Sequence, residues 1–268
     1  MDNDDRQIGK ILNRRDILKL FGVAGVSALA ACAPATSAAP QPTAALGPTD
    51  TAHPILTINP PRAATATVIG ALPSCIVRPA LTEGPYFVDE MLNRSDIRSD
   101  PTDGGISPGV LLELTFLVSQ ISGNCTPLAG AVVDVWHCDA LGVYSGVSDP
   151  RFTTAGKQFL RGHQVTDANG MAKFVTIYPG WYPGRAVHIH FKIRTGENPV
   201  YDFTSQLFFD DALSDQVFTQ PPYAGRGERN PRNEGDSIYR NSGSQLLLNL
   251  TPTADGYATT FDIGLNIT

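Results

Sequence analysis

The stretch GWYPGRAVHIHFKI, residues 180–193, places two of the chain's five histidines, His188 and His190, one residue apart. On a β-strand alternate side chains share a face, so both imidazoles point one way while Val187 and Ile189 point the other. Paired imidazoles are poor core material, because each carries a polar nitrogen that must find a partner. A metal ion can serve both at once, but a bare His-x-His pair fits ordinary hydrogen-bonded histidines equally well. Two tyrosines tilt the balance. Tyr182 stands in the loop PGWYPGR just ahead of the histidine strand, and Tyr144 in the loop CDALGVYSG that follows AVVDVWH. A phenol, with a free pKa near ~10, ionises at neutral pH only on a strong Lewis acid. Two phenolates with two imidazoles therefore suit ferric iron better than zinc or calcium.

Other polar residues make weaker candidates. Asp134 and His137 in DVWHCD are three apart, so a strand sends them to opposite faces, and with Asp139 they are read as structural or supporting groups. His163 in LRGHQVTD is read as a loop histidine, Trp136 as core, and Tyr86 and Phe87 in EGPYF as apolar cover near a pocket mouth. Asp167, Asn169 and Gly170 mark a turn, since the acidic ligands of a calcium loop are missing.

The elements that must hold these residues read as strands. VLLELTFLVS (110–119), GAVVDVWHCD (130–139), KFVTIYP (173–179), VHIHFKIRT (187–195), SQLFFD (205–210), QLLLNLT (245–251) and YATTFDIGLNI (257–267) are short and rich in β-branched or aromatic residues, and turn residues bound most of them. TDANGMAKF (166–174) and TPTADGYATTF (251–261) read as hairpins with Asn-Gly and Asp-Gly at their tips. The expectation is an all-β, single-domain antiparallel sandwich, with long rim loops at 140–165 and 211–243 carrying the metal site.

The whole chain sets the context. Its net charge is −6, and −7 without the five basic and four acidic side chains of the first 31 residues. So acidic a chain, with no basic cluster beyond that leader, excludes nucleic acid and points to a small partner. Residues 1–32 read as an export signal: Arg14 and Arg15 precede an apolar run, Phe21 to Ala31, too short to cross a ~30 Å hydrocarbon core. The pattern resembles a twin-arginine leader ending in the lipobox-like LAAC, where Cys32 would take lipid; plain cleavage at a small-residue site is the other reading. Residues 33–72 form an Ala/Pro/Thr-rich linker, and 73–268 the folded domain. The expected location is therefore extracytoplasmic and membrane-anchored. Outside the cytoplasm a disulfide between Cys75 and Cys125 is favoured, with Cys138 a buried thiol.

Four blocks, DVWHCDALGVYSG, TDANGMAKFVTIYPGWYP, RAVHIHFKI and SQLFFD, resemble in that order the signature segments of the intradiol ring-cleavage dioxygenases, which include catechol and protocatechuate dioxygenases. The likeness covers about residues 80–212, and LTEGPYFVD (81–89) is similar to the family's N-terminal segment. It implies a non-haem Fe(III) enzyme on a β-sandwich, taking an aromatic diol and dioxygen. By position it assigns Tyr144 and Tyr182 as equatorial and axial tyrosinate ligands, with His188 and His190 as equatorial and axial histidines. Arg185 falls on an arginine three residues before the first ligand histidine, and Gln206 on a glutamine near the substrate. Two departures leave the diol open among simple, hydroxylated and larger lignin-derived catechols. Only five residues separate Tyr182 from His188, where protocatechuate enzymes carry a longer, tryptophan-containing insertion, and the helical N-terminal region of catechol dioxygenases is missing. The rival reading is a transthyretin-like binding module without catalysis.

Overall fold

The computed structural model describes residues 75–122, 124–196 and 201–267; the leader, lipobox and linker lie outside the described residues. Two sheets face each other. The first has β1 (Leu111–Gln120) at its centre, flanked on one side by β11 (Gly256–Leu265) and β10 (Thr251–Pro252) and on the other by β7 (Met171–Ile177) and the short β2 (Thr126–Pro127). The second runs β6 (Arg161–Val165), β3 (Val132–Trp136), β8 (His188–Thr195), β9 (Tyr201–Phe208). A small hairpin pairs β4 (Ser148–Asp149) with β5 (Phe152–Thr153).

The expected β-sandwich is therefore present, with one difference: β1 and β11 pair in parallel. They lie at opposite ends of the domain sequence, so no tight turn constrains their direction. The core is the dry space between the sheets. Leu112, Leu114, Phe116 and Val118 of β1 and Phe261 and Ile263 of β11 meet Val133 and Val135 of β3 and Ile189, Phe191 and Ile193 of β8. Phe116 packs 5.2 Å from Phe191, and Phe191 5.5 Å from Phe261, measured between ring centroids.

Four expectations need correction. The Asn169-Gly170 turn does not close a hairpin: β6 pairs with β3 in one sheet and β7 with β1 in the other, so the turn crosses between layers. Asp167 fixes it, its Oδ1 accepting from the amides of Asn169 and Met171 at 2.9 Å each. His163 lies inside β6 and is buried. In the stretch 245–251 only Thr251 is strand, the first residue of β10; the rest is the end of a 3-10 turn, a single bridge from Leu247 to Phe208 and irregular chain. The stretch 211–243, expected as loop, carries two short helices, α1 (Asp211–Val217) and α2 (Ser237–Ser242). Asp210 and Asp236 cap their first turns through their side chains. Cys75 and Cys125 form the expected disulfide, and Cys138 is a buried free thiol.

Candidate metal centre

Strand β8 carries its two histidines on the face turned away from the core. Its alternation sends Ile189, Phe191 and Ile193 inward and His188 and His190 outward, as the sequence predicts. Yet the histidines are 2% and 1% exposed, because loops close over this outer face. Cross-strand register sets what stands beside them. Arg161, Trp136, His190 and Gln206 are successive partners across β6, β3, β8 and β9, a single transverse row. Trp136 lies flat on His190, centroids 5.0 Å apart and planes within 8°.

The two tyrosines arrive on loops pressed backbone to backbone. Asp139 Oδ1 accepts from the amides of Leu141 and Val143 at 2.8 and 2.9 Å, shaping the turn that delivers Tyr144. At Gly142, with φ +81°, a Cβ would stand 2.3 Å from the Trp181 carbonyl; at Gly180 it would stand 2.5 Å from the carbonyls of Asp139 and Ala140. Only glycine allows so close an approach. Arg226 spans the seam, donating to the Trp181 carbonyl at 2.7 Å and the Ala140 carbonyl at 3.3 Å. On the far side, Arg161 is buried and donates to the Ser145 hydroxyl and carbonyl and to the Tyr86 carbonyl.

These elements bring the four sequence-assigned donors together. Around His188 Nε2 lie His190 Nε2 at 3.1 Å, Tyr182 Oη at 3.2 Å, Tyr144 Oη at 3.4 Å and Arg185 Nη1 at 3.5 Å. His188 Nδ1 is 2.7 Å from the Ala186 carbonyl, which can only accept, so Nδ1 carries the proton and Nε2 a bare lone pair. One lone pair cannot serve four neighbours. Atoms so gathered are arranged about a shared point rather than as partners of one another. Separations of 3.1–3.4 Å match donors that each sit ~2 Å from a common ion. His190 Nδ1 is buried without a protein partner. Burial first, and then the Arg185 charge, holds His188 well below the usual imidazole range. Burial, His188 and Arg185 do the same for His190, so both rings stay neutral, the form that binds a metal. Among the described residues no group of three or more His, Cys, Asp or Glu side chains is placed to hold a metal. With the two tyrosines the cluster would offer four donors, and phenolic and imidazole donors together fit ferric iron.

The remaining assigned residues also converge. Arg185 Nη2 donates to Gln206 Oε1, and Gln206 Nε2 donates to the Thr82 carbonyl at 2.9 Å. Tyr86, read from sequence as apolar cover, stacks on Tyr144 with centroids 4.5 Å apart. Its hydroxyl donates to Asp149 Oδ2 at 2.7 Å, and Arg151 holds the same carboxylate. Asp134, itself buried, pairs with Arg194, and His137 is buried between Thr176 Oγ1 and the Cys138 carbonyl. Neither joins the cluster as a donor. Sequence reasoning missed Arg161 and Asp236, which touch the site residues from distant segments that no local pattern links to them.

A family model described as Dioxygenase matches residues 82–224. Among solved structures, an intradiol ring-cleavage dioxygenase from Tetranychus urticae superimposes with a TM-score of 0.64 at 33% identity, over 72% of this chain and 95% of that one. A chlorocatechol 1,2-dioxygenase of Pseudomonas sp. (strain P51) is 30% identical over 151 residues, 50% of this chain and 55% of the relative. A protocatechuate 3,4-dioxygenase beta chain of Burkholderia cepacia is 33% identical over 142 residues, 49% of this chain and 59% of the relative. The chain thus spans a little over half the length of these two curated relatives.

Proposed function

This chain belongs to the intradiol ring-cleavage dioxygenases, and from that premise we propose that it opens a catechol-type aromatic between its two hydroxylated carbons. The reaction uses dioxygen, places both oxygen atoms in a muconate-type diacid, and depends on non-haem Fe(III) held by Tyr144, Tyr182, His188 and His190. The observation that carries this reading is the crowding of two phenols, an imidazole and a guanidinium around the bare nitrogen of His188. Ferric iron, when bound, supplies the Lewis acidity that lets a diol bind through both oxygens and become electron-rich at carbon.

The protein's own groups do the rest. Tyr182, whose hydroxyl stands 3.2 Å from His188 Nε2 and which the family resemblance assigns as the axial ligand, would take a diol proton on its phenolate oxygen. Arg185, a permanent cation with planar donors, stabilises charge that shifts onto the substrate as a ring carbon becomes tetrahedral. Gln206, fixed at its amide nitrogen by Thr82, braces that guanidinium. The packed cover of Tyr86, Trp136, Cys138 and Val147 keeps bulk water from the ring.

Export and attachment through lipid on Cys32 belong to the same reading. The Cys75–Cys125 disulfide supports it, because such bonds persist in oxidising compartments. A Cys32→Ser variant should then move from the membrane fraction to the soluble one.

The deciding experiment is a visible spectrum of the iron-loaded protein, titrated with a panel of catechols without oxygen and then opened to air. A red-brown band that shifts with particular diols, followed by a ring-opened diacid, is the expected result. A colourless iron-loaded protein that leaves every diol intact removes the reading in favour of a transthyretin-like binding module.

A further inference from the structure

Asp236 lies 51 residues beyond Arg185 in sequence, yet both are almost completely buried, at 1% and 2% exposure, and in contact. Its carboxylate Oδ2 accepts from Arg185 Nε and from the Ala186 amide, at 2.9 Å each. Its Oδ1 accepts from the amides of Ile238 and Tyr239 at 2.8 and 3.4 Å, which caps α2. Four donors thus converge on two acceptor oxygens, a demand that only a carboxylate meets.

From this we infer that Asp236 is the positioning residue that orients Arg185 and, through the Ala186 peptide, the ring of His188; the inference rests on the dioxygenase reading above. The chain of contacts is continuous. Asp236 holds the Ala186 nitrogen, and the Ala186 carbonyl is the group that fixes the His188 tautomer at 2.7 Å. The guanidinium is gripped at Nε by Asp236 and at Nη2 by Gln206. Held at two corners, the plane cannot rotate, and Nη1 is directed at His188 Nε2, 3.5 Å away. The carboxylate also supplies the counter-charge that a buried cation requires. Helix α2 anchors that carboxylate, so the segment near residue 236 sets the aim of a cation that loops alone would leave loose.

Two variants separate this role from simple support. Asp236→Asn keeps the shape but must turn an amide N–H toward two other N–H donors. Asp236→Ser keeps a hydroxyl to cap α2 but cannot reach Arg185. In the metal-free protein, the Arg185 Nε–H resonance should exchange slowly in wild type and rapidly in both variants. In Asp236→Ser the Ile238 and Tyr239 amides should stay protected. A resonance unchanged in both variants overturns the inference.

In the iron-loaded full chain, kcat should fall on the order of 10- to 100-fold. That loss should appear per bound iron at saturating iron, and the diol concentration that half-shifts the visible band should hold at the wild-type value. Wild-type turnover per bound iron in both variants overturns the inference, as does a fall in turnover fully accounted for by lost iron or lost diol binding, which marks a merely structural role. If wild type cleaves no diol, the dioxygenase reading is what falls, and the Nε–H resonance still decides whether Asp236 orients Arg185.

Discussion

The two faces of strand β8 belong to one eight-residue segment but do different work. The inner face, Ile189, Phe191 and Ile193, is apolar, fully buried and interchangeable in kind with the rest of the core. The outer face, His188 and His190, is as deeply buried, yet its burial comes from loops and its two Nε2 atoms stand 3.1 Å apart. A two-residue period lets one strand hold the fold together with one face and present donors on the other. Stability and chemistry are then separable by single substitutions, one residue apart.

The sharpest way to break this comparison is to cut each face in turn. Phe191→Ala should cost about 3–5 kcal/mol of folding stability, read from denaturant midpoints, because its ring packs against Phe116 and Phe261 at the centre of the sandwich. His190→Ala should leave the metal-free fold standing while iron content drops to background by elemental analysis. If Phe191→Ala keeps its stability, or His190→Ala unfolds, the division between faces is wrong.

A second contrast is pH. Burial pulls His137, which is fully enclosed, from 6.5 down to about 4. Above pH 6.5 it is neutral in both folded and unfolded chains. As pH falls from 6.5 toward 4, the unfolded chain takes up a proton that the folded chain refuses, so stability declines by about 3 kcal/mol in total. His188 and His190 shift in the same direction and steepen the loss in metal-free protein. Denaturation of metal-free wild type and His137→Gln at pH 7 and pH 4.5 should show the smaller decline in the variant.

Smaller effects sharpen the picture on the site side. Arg185→Lys keeps the charge but loses the planar fork, and should cost up to about 3 kcal/mol in transition-state stabilisation, roughly a hundredfold in turnover. Tyr86→Phe removes one donor to Asp149, whose other partner Arg151 remains, so stability should drop by only about 1 kcal/mol. Because burial and the bond to Asp149 push the Tyr86 hydroxyl up from its usual range, it remains a donor at neutral pH and its loss should leave the visible band in place.

Much of the site was legible in the sequence because it is written in short local patterns. The alternation around His188 and His190 sets their common face, and the glycine- and proline-rich loops mark where Tyr144 and Tyr182 enter. What the sequence hid is non-local. The helices at 211–217 and 237–242 are six or seven residues long, too short for apolar periodicity to reveal, and their capping aspartates also read as turn residues. The Asn-Gly turn at 169–170 has the residues of a hairpin, and only the partner choice of β6 and β7 makes it a crossing between sheets. The parallel β1–β11 pair and the grip of Asp236 on Arg185 depend on chain segments that meet only after folding.

The central claim is that both phenols and both imidazoles bind one ferric ion. Visible-excited resonance Raman spectra of iron-loaded wild type, Tyr144→Phe and Tyr182→Phe test it most directly. Tyrosinate vibrations should be strong in wild type, weaker in each variant and absent in the double variant. Stoichiometric iron with no tyrosinate vibrations, or spectra indifferent to both substitutions, would contradict it.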